Sequence, residues 1–271
     1  MNDLKFKKFF IFIFLYNIFI IFTFLFFKRR LENVTSSIPI LTWHRISKRE
    51  IKNKYFPDNI WVNDLEIFKQ QIKYLYENNY RTLSMDEFYK WYIGKIEYNK
   101  KTVVITIDDG NIETYYNALP VLKKYNFSAT VFIIGNKVKE NVNWTKEEKN
   151  EHLTTQLINK IKKEYPKLNI QSHTYGIHTR INDKFKIYCI NKKEMENDFE
   201  HMEKYNCKYI AYPFGQFNEE FIEIAKKKGY KLGFTFGIYS KASRSDNPYE
   251  IHRLKVDGTM DLNYFKSLLK K

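Results

Sequence analysis

From residue 37 to the end of the chain, short apolar runs alternate with amphipathic stretches, and the period of each run predicts its structure. Ile38-Pro39-Ile40-Leu41-Thr42-Trp43 predicts a buried strand. Residues 64–78 set Leu65, Phe68, Ile72 and Leu75 three and four apart, which is one stripe of an amphipathic helix. Ser84-Met85-Asp86-Glu87 carries the serine and glutamate of a capping box, so a second helix opens there. Thr102 to Ile107 is β-branched throughout, as suits a strand covered on both faces in a parallel sheet. A helix over about 112–125 and a strand over 129–134 follow. Further strands are expected at 169–172, 209–212, 232–236 and 251–256, with helices between them. One of these helices starts at Asn218 and stops at Gly229, where a left-handed cap fits. There is no internal repeat. Repeated strand-then-helix units predict either a parallel (β/α) barrel or an open doubly wound sheet, and both gather reactive groups where strands end.

Before this pattern lies a segment of a different kind. Residues 9–27 are nineteen uncharged positions with Asn17 and Thr23 as the clearly polar members. As a helix they would extend about 28 Å, the hydrocarbon thickness of a bilayer. Lys28-Arg29-Arg30 follows directly and no small-residue cleavage site is evident, so the segment reads as an uncleaved single-pass anchor and not a processed signal. Residues 1–32 are thus expected to be a membrane anchor with short basic flanks, and residues 33–271 one catalytic-sized domain. Lys5, Lys7 and Lys8 on one side nearly balance the three cations on the other, so charge does not fix the orientation.

Composition changes the picture only slightly. The 271-residue chain is 44% hydrophobic, which excludes a disordered polymer. Nine of its 23 Phe belong to residues 9–27, so much of the aromatic excess concerns the anchor. The net charge of +15 would favour polyanions or an anionic surface, but no nucleic-acid recognition motif accompanies it. Cys189 and Cys207 have no spacing for a zinc knuckle.

The chemistry sits at the strand ends. The first predicted strand runs into His44-Arg45, that at 102–107 into Asp108-Asp109-Gly110, that at 169–172 into His173-Thr174-Tyr175-Gly176-Ile177-His178, and that at 209–212 into Pro213-Phe214-Gly215. Asp-Asp-Gly alone is a common turn. His173 and His178 would splay by about 140° on a helix, so they converge only from a loop. One carboxylate with two imidazoles is a facial ligand set for a divalent ion, and the second carboxylate is then free to act as a base.

These residues resemble the polysaccharide deacetylases with a NodB-homology domain, carbohydrate esterase family 4. Thr106-Ile107-Asp108-Asp109-Gly110 has Ile in the family's aromatic position, the His173 to His178 motif has one extra residue, and Ala211-Tyr212-Pro213-Phe214 lacks the family's Arg. The departures, with Trp43-His44-Arg45, are similar to the branch that deacetylates poly-β-1,6-N-acetylglucosamine of biofilm exopolysaccharide. The resemblance implies a distorted (β/α) barrel and hydrolysis of N-acetyl groups to acetate and free amines. It implies that Asp109, His173 and His178 hold one divalent ion, zinc with cobalt or nickel as alternatives. Asp108 would be the general base, His44 the general acid, and the backbone N–H of Phe214, held by Pro213, a donor to the developing oxyanion.

Since Ala211 replaces the arginine that orients the base, Arg253 is the candidate to do so, while its neighbour His252 competes with His44 for the acid role. Tyr175, Tyr212 and Pro213 are expected at the substrate, with Trp61, Trp91 and Tyr239 as further faces for a sugar ring. Expected partners are an N-acetylated polysaccharide, the membrane, and exopolysaccharide synthesis or export proteins. The expected location is a single-pass anchor with the domain outside the cytoplasm. A peptidoglycan or chitin-oligomer deacetylase is the nearest alternative. A non-catalytic glycan-binding protein on the same fold is the alternative of another class.

Overall fold

Pro39 divides the first apolar run, because it has no N–H to give to a ladder. In the computed structural model, which describes residues 12–25, 34–140, 151–237 and 240–270, β1 (Ser37–Ile38) ends there and β2 (Ile40–Trp43) begins after it. The chain forms two units, residues 1–35 with 97–100, and residues 36–96 with 101–271.

In the first unit, residues 12–25 form a helix, α1, whose large apolar side chains such as Phe12, Phe19 and Phe22 are exposed. Its two polar side chains bond their own backbone, Asn17 to the Ile13 carbonyl and Thr23 to the Ile20 carbonyl. Positions 9–11 and 26–27 of the expected anchor lie outside the described residues. Among the described residues no helix is long and apolar enough to cross a membrane.

The second unit is built on strands and helices in near alternation. After β2 come β3 (Arg45–Ser47), α2 (Arg49–Tyr55), β4 (Val62–Asp64), α3 (Leu65–Glu77), β5 (Arg81–Leu83) and α4 (Met85–Tyr92). Next are β6 (Thr102–Ile107), α5 (Leu119–Lys124), β7 (Ala129–Ile133), α6 (Thr155–Glu164), β8 (Leu168–Ser172) and the small hairpin β9 (Arg180–Ile181) and β10 (Lys184–Phe185). The chain ends with α7 (Lys192–Met202), β11 (Tyr209–Ala211), α8 (Glu219–Lys227), β12 (Leu232–Phe234), β13 (Ala242–Ser243), β14 (Leu254–Lys255) and α9 (Leu262–Lys270). The helix starts are fixed by side chains. Asp64 accepts the N–H groups of Glu66 and Ile67, Ser84 and Glu87 form the reciprocal box, and Asn218 caps α8 through the N–H of Phe221.

Eight strands form one parallel sheet in the order β12-β11-β8-β7-β6-β2-β14, with β5 also paired to β6. Along β2, β6 and β7, alternate residues (Leu41, Trp43; Val103, Ile105, Ile107; Ala129, Val131, Ile133) pack into one cluster with Phe68 and Ile72 of α3 and with Phe265 of α9. The intervening positions face the other way and are also buried. Thr42, Thr106 and Thr130 stand in register there, with Thr42 Oγ1 and Thr106 Oγ1 2.9 Å apart. That burial on both faces explains the β-branched sequence of β6.

The segment 251–256 closes the curled sheet. Ile251 donates its N–H to the Gly233 carbonyl and accepts from Thr235 N–H on the β12 side, while β14 pairs with β2 and Val256 N–H reaches the Thr42 carbonyl. The expected strand over 251–256 is therefore two short contacts with opposite sheet edges, and residues 252 and 253 bridge the gap. This is the distorted (β/α) barrel, not the open doubly wound sheet.

The expected helix over 112–125 also differs. Residues Thr114–Ala118 form a π-turn and the α-helix begins only at Leu119, because Pro120 has no N–H for the Tyr116 carbonyl and the turn widens around the missing bond. Inside the barrel Phe132 is fully buried, with its ring 5.8 Å from that of Phe234. Phe132→Ala is expected to cost about 3–5 kcal/mol of unfolding free energy, read as a lower urea midpoint. A loss below about 1 kcal/mol would show that the barrel interior is not close-packed there.

Candidate active site

Four strand ends converge on one cleft of about 600 Å³. At the end of β6, the N–H of Asp108 extends the ladder to the Trp43 carbonyl and Asp108 is buried. Asp109 and Gly110 then both adopt positive φ (71° and 68°), so the chain turns sharply and Asp109 faces the cleft too. Only glycine fits after it: a Cβ on Gly110 would stand 2.8 Å from Cγ2 of Ile133.

Asp108 is held by Arg253, which is fully buried in the bridging segment. Nη1 and Nη2 each donate to one carboxylate oxygen at 2.8 Å, and Nε donates to the Thr235 carbonyl at 3.0 Å. The guanidinium also lies between the rings of Phe132 and Phe236. Burial works to raise the Asp108 pKa, but the Arg253 guanidinium, by its charge and its hydrogen bonds, outweighs it and holds the carboxyl at about 2. Asp108 is thus ionised at every physiological pH.

Asp109, His173 and His178 form a separate group. Their candidate donor atoms all lie within 4.8 Å of one another, with the Nε2 atoms of His173 and His178 3.6 and 3.5 Å from Asp109 Oδ1. His173 Nδ1 is 2.7 Å from the Ala211 carbonyl at the end of β11, which can only accept, so Nδ1 carries the proton and Nε2 presents its lone pair. Burial pushes the His173 pKa down to about 3 and lowers that of His178, so both imidazoles are neutral. Burial, and after it the Asp108 charge, raises Asp109. Asp109 Oδ1 is a buried acceptor without a hydrogen-bond partner. Two neutral imidazoles and one orphaned carboxylate oxygen are a donor set that fits a divalent cation.

Opposite this group stands His44, with Nε2 4.0 Å from Asp108 Oδ2 and its ring against Trp61 and Phe236, 4.8 and 5.3 Å between centroids. His44 lies between β2 and β3, and the start of β3 is braced by Arg45, which pairs with Glu113 beyond the Asp-Asp turn at 2.7 Å and lies over the Phe56 ring. On the far wall, Phe214 packs on His178 (4.4 Å) and on Phe185 (5.0 Å). Phe214 has φ +58°, and the two turn bonds here, Gly215 N–H to Tyr212 and Gln216 N–H to Pro213, leave its own N–H out.

The structure therefore brings His44, Asp108, Asp109, His173, His178, Phe214 and Tyr212 to one cleft, with Arg253 directly behind it. Pro213, expected at the substrate, is buried and does not line the cleft, although its neighbours Tyr212 and Phe214 do. Tyr175 does not line it: its ring stacks on His201 at 4.6 Å and covers Gly135, because its backbone is committed elsewhere. His252 is likewise absent from the cleft, its Nδ1 lying 3.2 Å from Thr235 Oγ1. Of the other aromatic residues, Trp61 lines the cleft, Trp91 is core, and Tyr239 lies outside the described residues. Periodicity and motif spacing give no sign of Glu113 or of Thr235, whose partners are distant in sequence.

A polysaccharide deacetylase family model matches residues 95–233. A poly-β-1,6-N-acetyl-D-glucosamine N-deacetylase of Staphylococcus epidermidis is 30% identical over 265 residues, 90% of this chain and 86% of that protein. One from Staphylococcus aureus is 29% identical over 262 residues, 90% and 85% of the two chains. Among solved structures, the deacetylase PplD of Streptococcus pyogenes, in complex with acetate, superposes with TM-score 0.70 at 24% identity, over 87% of this chain and 99% of that one. IcaB from Ammonifex degensii gives TM-score 0.69 at 22% identity, over 87% and 97%. At these identities the two structures attest the fold.

Removing the guanidinium leaves a buried, unpaired carboxylate. Arg253→Gln is expected to cost about 3–5 kcal/mol and to raise the Asp108 pKa, read by urea midpoint and by carboxyl NMR titration; an unmoved titration would refute the pairing. Acid stability follows from the same site. The unfolded chain binds protons at ordinary His and Asp pKa values, whereas folded His173 and Asp108 resist them down to about 3 and about 2. Stability in chelator should thus be full above about pH 6.5 and fall as the pH drops through 3 towards 2. A urea midpoint that stays level over that range would count against it.

Proposed function

The chain belongs to the polysaccharide deacetylase family, hydrolases of N-acetyl amide bonds, and we propose that it acts, with a divalent metal, on a poly-β-1,6-N-acetylglucosamine polymer. The observation that carries the reading is the paired aspartates: Asp108 fixed and ionised against Arg253, Asp109 facing two neutral imidazoles, and His44 across the cleft. The relatives at about 30% identity that are named for this polymer support the choice of substrate.

Asp109, His173 and His178 would hold the ion, which when bound supplies Lewis-acid activation of water and of the acetamide carbonyl. The chain's own groups do the rest. Asp108 accepts the proton of the attacking water; its low pKa makes it a base by constant availability and fixed aim, since Arg253 donates one N–H to each of its oxygens and sets the carboxylate plane. The N–H of Phe214, free of its own turn, donates to the oxygen on which charge develops. His44 delivers a proton to the departing nitrogen, because an amine leaves readily only when protonated. Trp61, Phe56 and Phe236 on one wall and Phe214 and Phe185 on the other offer apolar faces to the sugar rings on either side of the reacting unit.

The membrane anchor over residues 1–32, with the domain outside the cytoplasm beside synthesis or export proteins, belongs to the same proposal. Its support is the nineteen uncharged residues at 9–27.

The metal-loaded full chain is expected to release free amine from β-1,6-linked N-acetylglucosamine oligomers about tenfold or more faster than from β-1,4-linked ones, and to stop in chelator. Asp108→Asn and His44→Ala should each lose on the order of 10²–10⁴ in kcat, while His252→Ala stays within about threefold. Preference for β-1,4 oligomers would overturn the substrate, chelator-insensitive turnover the metal, and loss in His252→Ala without loss in His44→Ala the acid.

A further inference from the structure

The loop between the two metal-site histidines has almost no freedom, and one side chain outside the cleft is the reason. On one flank the N–H groups of Gly135 and Asn136, which follow β7, donate to the carbonyls of Thr174 and Tyr175 at 2.9 and 2.8 Å. On the other flank lies Asp198 of α7. Its Oδ2 accepts the N–H of Tyr175 at 2.7 Å and its Oδ1 the N–H of Gly176 at 2.6 Å. Thr174 N–H is bonded to Ser172 Oγ, and the Gly176 carbonyl to Lys186 Nζ. Every peptide N–H and carbonyl of residues 174–176 thus has a partner, and Asp198 supplies two of the six bonds with one buried group.

The loop needs such a clamp. Thr174 is β-branched and has φ +67°, a conformation that costs on the order of 1–3 kcal/mol and persists only where its surroundings over-determine it. The five-residue separation of His173 and His178 brings their rings to 4.7 Å between centroids only while that turn is kept. If the carboxylate were absent, two partly buried N–H groups would be orphaned, and the cheapest remedy would be for the turn to relax towards water. Tyr175 is drawn to α7 by the same contact and stacks on His201 three residues after Asp198, which is why it faces away from the cleft.

We propose that Asp198 is a positioning residue for the metal centre: by bridging the N–H groups of Tyr175 and Gly176 it sets the separation of His173 and His178, and so the affinity for the divalent ion. This rests on the metal-dependent reading above, but it predicts an equilibrium property that can be read without substrate.

The test is a Zn²⁺ titration of the chelator-stripped full chain against a fluorescent competitor, with the visible spectrum of the Co²⁺-loaded protein as a second readout. Asp198→Asn keeps the shape of the side chain but turns an NH2 group towards a backbone N–H; Asp198→Ala removes both acceptors. Each is expected to weaken Zn²⁺ binding about 10–100-fold and to alter the Co²⁺ bands. Glu200→Gln removes a charge from the same helix at the surface, where Glu200 faces Lys228, and should bind like the parent. Zn²⁺ affinity within about twofold of the parent in Asp198→Asn, with unchanged Co²⁺ bands, overturns the inference alone. Equal weakening in Glu200→Gln overturns it too, by assigning the effect to charge. A parent chain that does not bind Zn²⁺ overturns the metal reading and this inference with it.

Discussion

A carboxylate buried inside a barrel must be paired, and the pairing of Asp108 with Arg253 is the constraint from which the rest of the cleft follows. Two bonds of 2.8 Å, one to each oxygen, leave the carboxylate no rotational freedom. The arginine that meets it lies in the segment that joins the two edges of the curled sheet, between the contact of Ile251 with β12 and the pairing of β14 with β2. Closing the barrel and satisfying the buried charge are thereby one event. A barrel that failed to close would leave the Asp108 charge unpaired in an apolar interior, at a cost of several kcal/mol. The residues at the end of β11 are released from this duty, which is why Ala211 suffices there and its carbonyl is free to fix the tautomer of His173.

The same constraint separates the roles of two adjacent aspartates. Had both followed the pleat of β6, one would face the barrel and the other the helices. The left-handed turn at Asp109 brings the second carboxylate round to the cleft, where burial raises its pKa while Arg253 depresses that of its neighbour. Two identical side chains, one residue apart, thus differ in what they demand of their surroundings: Asp108 is satisfied by the protein, and Asp109 has an orphaned oxygen that a cation would satisfy. Environments that push the pKa values of paired groups apart are how one site assigns different tasks to chemically equal groups.

Much of this was legible in the sequence, and what was not shares a physical cause. The β-branched run of β6, the stripe of α3, the capping box at Ser84 and the helix start at Asn218 are local signals that tertiary packing had no reason to override. The residues at the strand ends were legible because a parallel barrel brings those ends together, so position along the chain implies position in space. Tyr175 faces away from the cleft, against its expected place there, because its direction is set by the contact of its own N–H with Asp198, 23 residues away. A carboxylate that binds main-chain N–H groups leaves no mark in sequence, since every residue but proline offers that donor. The same holds for Arg253 Nε on the Thr235 carbonyl. The π-turn before α5 leaves no mark in the apolar period, which runs on through residues 114–118, and its cause is the single missing N–H of Pro120.

Backbone strain shows where the fold gives up stability for geometry. Among the described residues, eight other than glycine have positive φ; four are Asn and two are Asp, which tolerate that region because their short polar side chains bond locally. The remaining two are Thr174 and Phe214, a β-branched and an aromatic residue for which the conformation is costly, and they follow β8 and β11 at the cleft. Asp109, after β6, completes a set of three such turns at strand ends on the same side of the sheet, β8 and β11 being neighbours and β6 lying one strand beyond, across β7. The geometry explains the coincidence. A strand that runs on beyond the barrel mouth would carry successive side chains to opposite faces, whereas a site needs groups from consecutive residues directed at one point. A single left-handed residue reverses the pleat within one step, at on the order of 1–3 kcal/mol each. Where φ is strained the surroundings are correspondingly rigid: Gly135, Asn136 and Asp198 around Thr174, and the backbone of Phe236 so close to Gly215 that a Cβ would stand 2.7 Å from its nitrogen. The barrel core is what offsets this cost, so the buried rows along β2, β6 and β7 serve the site as directly as the residues that line it.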